Sequence, residues 1–287
     1  MLQQCASALV CPLCGASFEV EGRSVVCHNR HTFDLARSGY VNLLPSTRKL
    51  AETVGDNQEM LSARKRFLDG GYFDPLVDAL RRSARESTEG PVEPEGYVVE
   101  VGSGTGYYLA AIKDALAGTP AEELCFFGID ISKAAARMSA GLHKDITFLV
   151  ADVHKGIPLD SGNAHLLLEV FAPRSPQEFA RVLHPNGRVV VVIPGSDHLG
   201  ELVSRFDLLQ VHGDKEEIML KDFEGTLRLT DRTPIQYDVS LPAQAVQDVV
   251  EMGPSARHLS DETRLAIDET TALTCTASFV VLTFERL

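Results

Sequence analysis

Apolar residues recur at two periods along this chain, and the change of period divides it. From Gln58 to about Arg85, Met60, Ala63, Phe67 and Leu68, then Leu76, Val77 and Leu80, follow helical spacing, with a break at Gly70-Gly71. This predicts two helices. After a Glu-, Gly- and Pro-rich linker over 87–96, short apolar runs alternate with helical patterns. Strands are expected over 97–101, 125–129, 146–151, 164–170 and 188–193, and helices over 107–116, 133–141, 176–183 and 198–211. A late pair, 225–232 and 277–284, should close the sheet with an antiparallel hairpin edge. The alternation predicts an α/β fold, a mostly parallel sheet with helices on both faces. Upstream, Ser17–Val20 and Ser24–Cys27 are β-prone pieces joined by Glu21-Gly22-Arg23, a short ribbon within residues 5–45. Residues 46–57 are polar and read as loop, and no internal repeat is found.

With 287 residues, 44% hydrophobic and 23% charged, the chain suits one large domain plus a small module. No apolar run approaches a bilayer span, and the N-terminus lacks a basic stretch followed by a signal-type core. A cytoplasmic protein with no membrane partner is expected. Cys5 falls in what reads as an unstructured leader, while Cys125 and Cys275 lie in apolar strand-like runs, where reduced buried thiols are the ordinary outcome. The net charge of −13 argues against a polyanionic partner, but residues 91–287 hold 16 basic and 29 acidic groups. Residues 1–50 carry Arg23, Arg30, Arg37, Arg48 and Lys49 against three acids, and Arg64-Lys65-Arg66 follows on a helix. A polyanion would be met on the N-terminal side; a solvated helix face explains the Arg64–Arg66 cluster equally well.

The first chemical signal is the order C-x₂-C-x₁₂-C-x₃-H formed by Cys11, Cys14, Cys27 and His31. Tetrahedral Zn²⁺ needs four such ligands gathered by two tight turns, and Pro12 and Gly15 supply turn chemistry beside the first pair. His28 is the competing fourth ligand, although it would have to fold straight back on Cys27.

The second signal begins where the first long-domain strand runs into Glu100-Val101-Gly102-Ser103-Gly104-Thr105-Gly106. A glycine-rich turn there lets a ligand approach the backbone at a helix N-terminus. Its G-x-G-x-G spacing, with an acid two residues earlier, differs from the dinucleotide G-x-G-x-x-G pattern. The second strand ends at Asp130, where a carboxylate can accept both ribose hydroxyls, and the third at Asp152, within reach of an adenine amino group. Cationic sulfonium tolerates this acidic lining, whereas a pyrophosphate would be repelled. The three positions outline an S-adenosyl-L-methionine pocket.

Together these motifs resemble the bacterial 23S rRNA (guanine-N1)-methyltransferases, a family that includes macrolide-resistance enzymes. The resemblance spans the cysteine knuckle, His31-Thr32-Phe33-Asp34, Gly39-Tyr40-Val41-Asn42-Leu43-Leu44, Gly55-Asp56, Glu59-Met60, Ala63-Arg64, Phe67-Leu68-Asp69, the glycine loop with Tyr107-Tyr108, Phe171-Ala172-Pro173, Pro185-Asn186-Gly187, and Pro194-Gly195 with His198-Leu199. It implies a class I methyltransferase fold with a zinc-ribbon module: 1–45 zinc-binding and RNA-recognising, 46–90 a helical linker and cofactor lid, 91–287 catalytic. It also implies a 23S rRNA hairpin loop as partner and a homodimer. Cofactor contacts carry over to Tyr72 or Phe73, to Gly106 and Tyr107, and to His198. Methylating guanine N1 requires loss of its proton and in-line attack on the sulfonium methyl. Glu169 is the acid nearest the expected substrate side, Phe171 could stack on an extruded base, and Pro173 would stiffen the wall. Arg23, Arg30 and Arg37 are candidates for phosphate contacts, and Tyr40 for a stacking platform. A small-molecule methyltransferase and a non-catalytic zinc adaptor are the competing function classes.

Overall fold

The computed structural model describes residues 2–45, 54–90, 92–93, 95–208 and 215–287. Arg48, Lys49, most of the loop expected over 46–57 and the far end of the helix expected over 198–211 lie outside the described residues. The chain opens with a short helix α1 (Leu2–Cys5) and an antiparallel ribbon of β1 (Phe18–Glu21), β2 (Ser24–Cys27) and β3 (Thr32–Asp34). Strand β4 (Val41–Asn42) follows, and then α2 (Gln58–Asp69) and α3 (Asp74–Ser87). Asn57 caps α2, its side chain accepting the Met60 amide at 2.9 Å, and Gly71 at φ +74° turns the chain into α3.

The alternating part runs β5 (Tyr97–Val101), α4 (Tyr107–Leu116), β6 (Cys125–Asp130), α5 (Lys133–Leu142), β7 (Thr147–Val150), β8 (Ala164–Val170), α6 (Pro176–Val182) and β9 (Leu183–Pro194). After α7 (Gly200–Phe206) and α8 (Lys215–Phe223) come β10 (Leu227–Pro242), α9 (Ala243–Glu251), α10 (Asp261–Asp268) and β11 (Ala272–Arg286). Eight strands form one sheet in the order β10-β11-β9-β8-β5-β6-β7-β4. All neighbours are parallel except β11, which is antiparallel to both β9 and β10. This is the mostly parallel sheet that the expected α/β fold calls for, extended at one edge by β4. Chain direction across the sheet reverses between β5 and β8, so a crevice opens at their carboxyl ends.

Side chains alternate between the two faces. Val98, Phe126, Phe148, Leu168, Val190 and Phe279 meet α2, α3, α4 and α9 on one side. On the other, Val99, Phe127, Leu149, Leu167, Val191 and Phe284 pack against the N-terminal ribbon, α6 and α8. The ribbon shares that core through Leu9, Phe18 and Val25, and the Leu43 amide donates to the Val150 carbonyl at 2.9 Å. Residues 41–42 thus complete the sheet expected to belong to 91–287 alone.

Several expectations change here. Cys5 is buried in α1 and joined to Cys125 by a disulfide, so it is no leader residue and Cys125 is no free thiol; Cys275 is the buried thiol expected. The ribbon folds α1 onto the start of β6, which brings two cysteines 120 residues apart together. Tyr40 is buried in the main core and offers no stacking platform. Both late strands are longer than expected, pairing from Leu227–Arg286 to Pro242–Ala272, and Pro234 is accommodated on the edge strand β10. Helix α7 is shorter, bounded by Leu199 at φ +53° and Asp207 at φ +48°.

Candidate active site and zinc centre

Four ligand atoms, the Sγ of Cys11, Cys14 and Cys27 and a ring nitrogen of His31, lie within 4.8 Å of one another. Zn–S bonds of about 2.3 Å and Zn–N bonds of about 2.0 Å set tetrahedral edges of roughly 3.5–3.8 Å. The observed edges are 3.5 Å for Cys11 Sγ to His31 Nδ1, 3.5 Å for Cys27 Sγ to His31 Nδ1 and 3.7 Å for Cys14 Sγ to Cys27 Sγ. The residues therefore fit a tetrahedral zinc ion. Two tight turns gather them, one closed by Gly15 N–H on Cys11 O and one by Arg30 N–H on Cys27 O. The His31 amide also donates to Cys27 Sγ at 3.3 Å. His28 points to solvent and takes no part.

At the carboxyl end of β5 the glycine loop turns through Gly102, Gly104 and Gly106, all at positive φ. Each supports a close approach: a Cβ on Gly102 would meet Ala172 Cβ at 2.4 Å, on Gly104 the Arg64 guanidinium at 3.2 Å, and on Gly106 the Phe148 ring at 2.8 Å. Asp130, at the end of β6, accepts the Gly104 amide at 2.9 Å on one oxygen and the Ser132 amide at 2.8 Å on the other. A carboxylate has about four lone-pair sites, so two remain for ribose hydroxyls. Asp152 follows β7 and accepts the His154 amide at 3.1 Å. Loop and acids form a cradle that suits an adenosyl donor. Glu100 behaves differently. It is fully buried, its Oε2 accepts the Leu109 amide at 3.2 Å, and burial pushes its carboxyl well above the usual range. It pins the first turn of α4 to β5 rather than facing the crevice. Tyr107, half-buried at the start of α4, packs edge-on against Tyr108.

A second group gathers at the ends of β8 and β9. Phe171 is 43% exposed and held at φ +55°, a costly backbone for an aromatic residue. Its ring lies 6.3 Å from that of His198 and 5.9 Å from that of Phe279. His198 Nδ1 accepts the Ser278 amide at 3.2 Å, and burial lowers its pKa to about 4, so the imidazole is neutral with its proton on Nε2. Phe73 is core, with its ring 4.9 Å from Phe67 and Phe279 and 5.7 Å from His198. Tyr72 is half-buried, and its carbonyl accepts the Tyr237 hydroxyl at 2.8 Å. Glu169 is 0% exposed; Oε1 accepts the Ala172 amide at 2.5 Å and Oε2 the Arg174 guanidinium at 3.0 Å. Burial raises its pKa to about 7 against the opposing pull of Arg174. The carboxylate braces the 171–174 loop from behind and does not reach the cleft. Ala172, in contact range of Gly102, joins this aromatic floor to the glycine loop.

The zinc-ribbon model of the RlmA N-terminal family matches residues 9–51. The chain is 39% identical over 250 residues to the 23S rRNA (guanine(748)-N(1))-methyltransferase of Streptomyces fradiae, covering 87% of this chain and 86% of that one. It belongs to the 23S rRNA (guanine-N1)-methyltransferase family. A Micromonospora griseorubida protein named "Putative 23S rRNA (guanine-N(1)-)-methyltransferase" is 38% identical over 275 residues, covering 90% of this chain and 89% of that one.

For a member of an RNA methyltransferase family, the basic cluster on α2 is unexpectedly occupied. Arg64 pairs with Asp56 at 2.5 Å, Lys65 with Asp69, and Arg66 with the buried Asp248 at 2.6 Å. It is not a free polyanion patch: Arg64 and Arg66 tie α2 to other parts of the fold, while Lys65 and Arg66 keep the solvent exposure of a helix face. Arg23, Arg30 and Arg37 do stand on the exposed surface of the ribbon. Another ligand-type cluster, Glu93, His165 and His184, sits at the opposite, amino ends of β8 and β9. His184 Nδ1 accepts the Asn186 amide at 3.1 Å; its Nε2 lies 3.5 Å from Glu93 Oε2, and His165 Nε2 lies 2.9 Å from the same oxygen. Asp56, Phe279, Tyr237 and Arg174 were not singled out from sequence. Asp56, Phe279 and Tyr237 reach the site from distant segments, whereas Arg174 sits in the same loop as Phe171 and reads as an ordinary surface cation until the buried Glu169 is seen against it. For Asp56 a signal existed in the Gly55-Asp56 motif.

Proposed function

We propose that the protein transfers the methyl group of S-adenosyl-L-methionine to N1 of a guanine in a hairpin loop of 23S rRNA. The observation that carries this reading is the junction of a donor cradle and an exposed aromatic floor through the Gly102–Ala172 contact, on a chain that also bears a zinc ribbon. When bound, the cofactor supplies an electrophilic methyl group on sulfur. Gly102, Gly104 and Gly106 admit it to the backbone, Asp130 accepts from the ribose, and Asp152 from the adenine amino group. Phe171 stacks on the extruded guanine, and neutral His198 offers an Nε2–H donor at the edge of the cleft. Glu169 is a positioning residue: by holding the Ala172 amide and Arg174 it fixes the strained Phe171. The N1 proton passes to solvent, since Glu169 does not reach the base. Rate therefore comes mainly from positioning.

Cys11, Cys14, Cys27 and His31 hold zinc, and the ribbon meets RNA with Arg23, Arg30 and Arg37. Residues 1–45 act as the RNA-reading module, 46–90 as the lid and 91–287 as the catalytic part. Among the described residues no helix is long and apolar enough to cross a membrane, and an rRNA substrate puts the protein in the cytoplasm. A homodimer belongs to the same reading, and the long open edge of β10 is a surface a second copy can cover. The test is incubation with methyl-labelled cofactor and 23S rRNA, followed by primer extension. Arrest one nucleotide before a guanine in a hairpin loop is expected; labelling of a small molecule without arrest would overturn the proposal.

A further inference from the structure

The donor cradle is lined by Asp130, Asp152 and Asp56, yet one cation lies directly on the glycine loop. Arg64, on the second turn of α2, brings Nη1 so close to Gly104 that a Cβ there would stand 3.2 Å from it. Its position is fixed from two sides: Nη1 pairs with Asp56 at 2.5 Å, and Nη2 donates to the Met252 carbonyl at 3.1 Å. Asp56 is held in turn, its carbonyl accepting the Ser132 hydroxyl at 2.8 Å and Gly55 packing on Ile131 and Ser132. This places the Asp56–Arg64 pair beside Asp130. An adenosyl donor carries one anionic group, the α-carboxylate of its amino-acid arm. With ribose at Asp130 and the methyl acceptor at Phe171, that arm must cross the glycine loop, where Arg64 lies.

We infer that Arg64 binds the α-carboxylate of the methyl donor, with Asp56 and the Met252 carbonyl keeping its guanidinium oriented. The inference rests on the proposed placement of the donor at the glycine loop. A planar guanidinium can grip both carboxylate oxygens, which an ammonium group cannot. Discrimination between donors with and without that carboxylate is the consequence. Decarboxylated S-adenosylmethionine keeps the adenosine, sulfonium and amine but lacks the anion. Calorimetric titration of the full-length, zinc-loaded protein with each ligand tests this directly. The wild type should bind S-adenosylmethionine about 10- to 100-fold more tightly than the decarboxylated form. Arg64→Met should lose that preference by weakening only the carboxylate-bearing ligand, and Arg64→Lys should keep part of it. Binding of the decarboxylated ligand reports that each variant is folded. Equal loss for both ligands, an unchanged preference in Arg64→Met, or no preference in the wild type would overturn the role of Arg64 while the donor pocket stands. Failure of the wild type to bind either ligand would overturn the pocket as well.

Discussion

Phe171 shows how much of the site depends on single side chains. A positive φ at an aromatic residue is retained only when neighbours over-determine it, and here Glu169 holds the next amide while His198 and Phe279 flank the ring. Stacking of a base on such a ring contributes about 1–3 kcal/mol. Phe171→Ala should therefore lower kcat/KM for RNA by roughly tenfold to a hundredfold while leaving donor affinity unchanged, as steady-state kinetics and titration will show. Glu169→Gln separates two roles. An amide oxygen can still accept the Ala172 amide, so a positioning residue predicts activity within about tenfold of wild type, whereas Glu169→Ala should lose about a hundredfold. A general base would lose nearly everything in both variants. His198 gives a signature in acid. Above its unfolded pKa of about 6.5 both states are neutral; as pH falls below that, the unfolded chain takes a proton that the folded site, at about 4, refuses. Stability should fall from pH 6.5 toward 4 by at most about 3 kcal/mol, and His198→Asn should flatten that part of the curve in denaturant titrations followed across pH.

Among the elements, the zinc ribbon is built into the body of the protein rather than appended to it. Its Phe18 and Val25 share a core with the sheet, β4 completes the sheet edge, and α1 is covalently joined to β6 through Cys5 and Cys125. Removing zinc with a strong chelator, or substituting Cys27→Ser, should lower the melting temperature of the whole protein in a single calorimetric transition. Two separated transitions would mean that the ribbon folds alone. The elements also show what the sequence makes legible. Periodicity found β5, α4 and the strands that follow because each is short, continuous and bounded by turn residues. The ligand spacing of Cys11, Cys14, Cys27 and His31 was local chemistry, and the structure brings those four together. Long-range partners were hidden: nothing near Cys5 signals Cys125, nothing in Tyr40 distinguishes a core ring from an exposed one, and Arg66 reads as a surface cation until α9 supplies the buried Asp248. A two-residue strand such as β4 has too little pattern to detect at all.

At the scale of the whole molecule, the charge distribution constrains how a chain of net charge −13 meets an RNA. Phosphate contacts release counterions, and each contributes about −0.7 to −0.9 to the slope of log affinity against log salt. With each cation of the Arg64–Arg66 cluster already paired to a carboxylate, Arg23, Arg30 and Arg37 are the exposed arginines of the ribbon, and Arg30 would exchange its surface pair with Glu21, at 3.0 Å, for a phosphate. Three such contacts predict a slope of roughly −2 to −3, a loss of only about 20- to 40-fold between 50 and 200 mM salt. Proteins that make six to ten phosphate contacts lose about 10³- to 10⁵-fold over the same range. Affinity must then rest chiefly on shape and base stacking, which suits a folded hairpin better than an extended strand. Filter binding of a 23S rRNA hairpin across this salt range provides the measurement, and replacing any one of the three arginines by alanine should make the slope shallower by about 0.7–0.9. A slope steeper than about −5 would place the RNA on a different basic surface, because the ribbon alone cannot release that many ions.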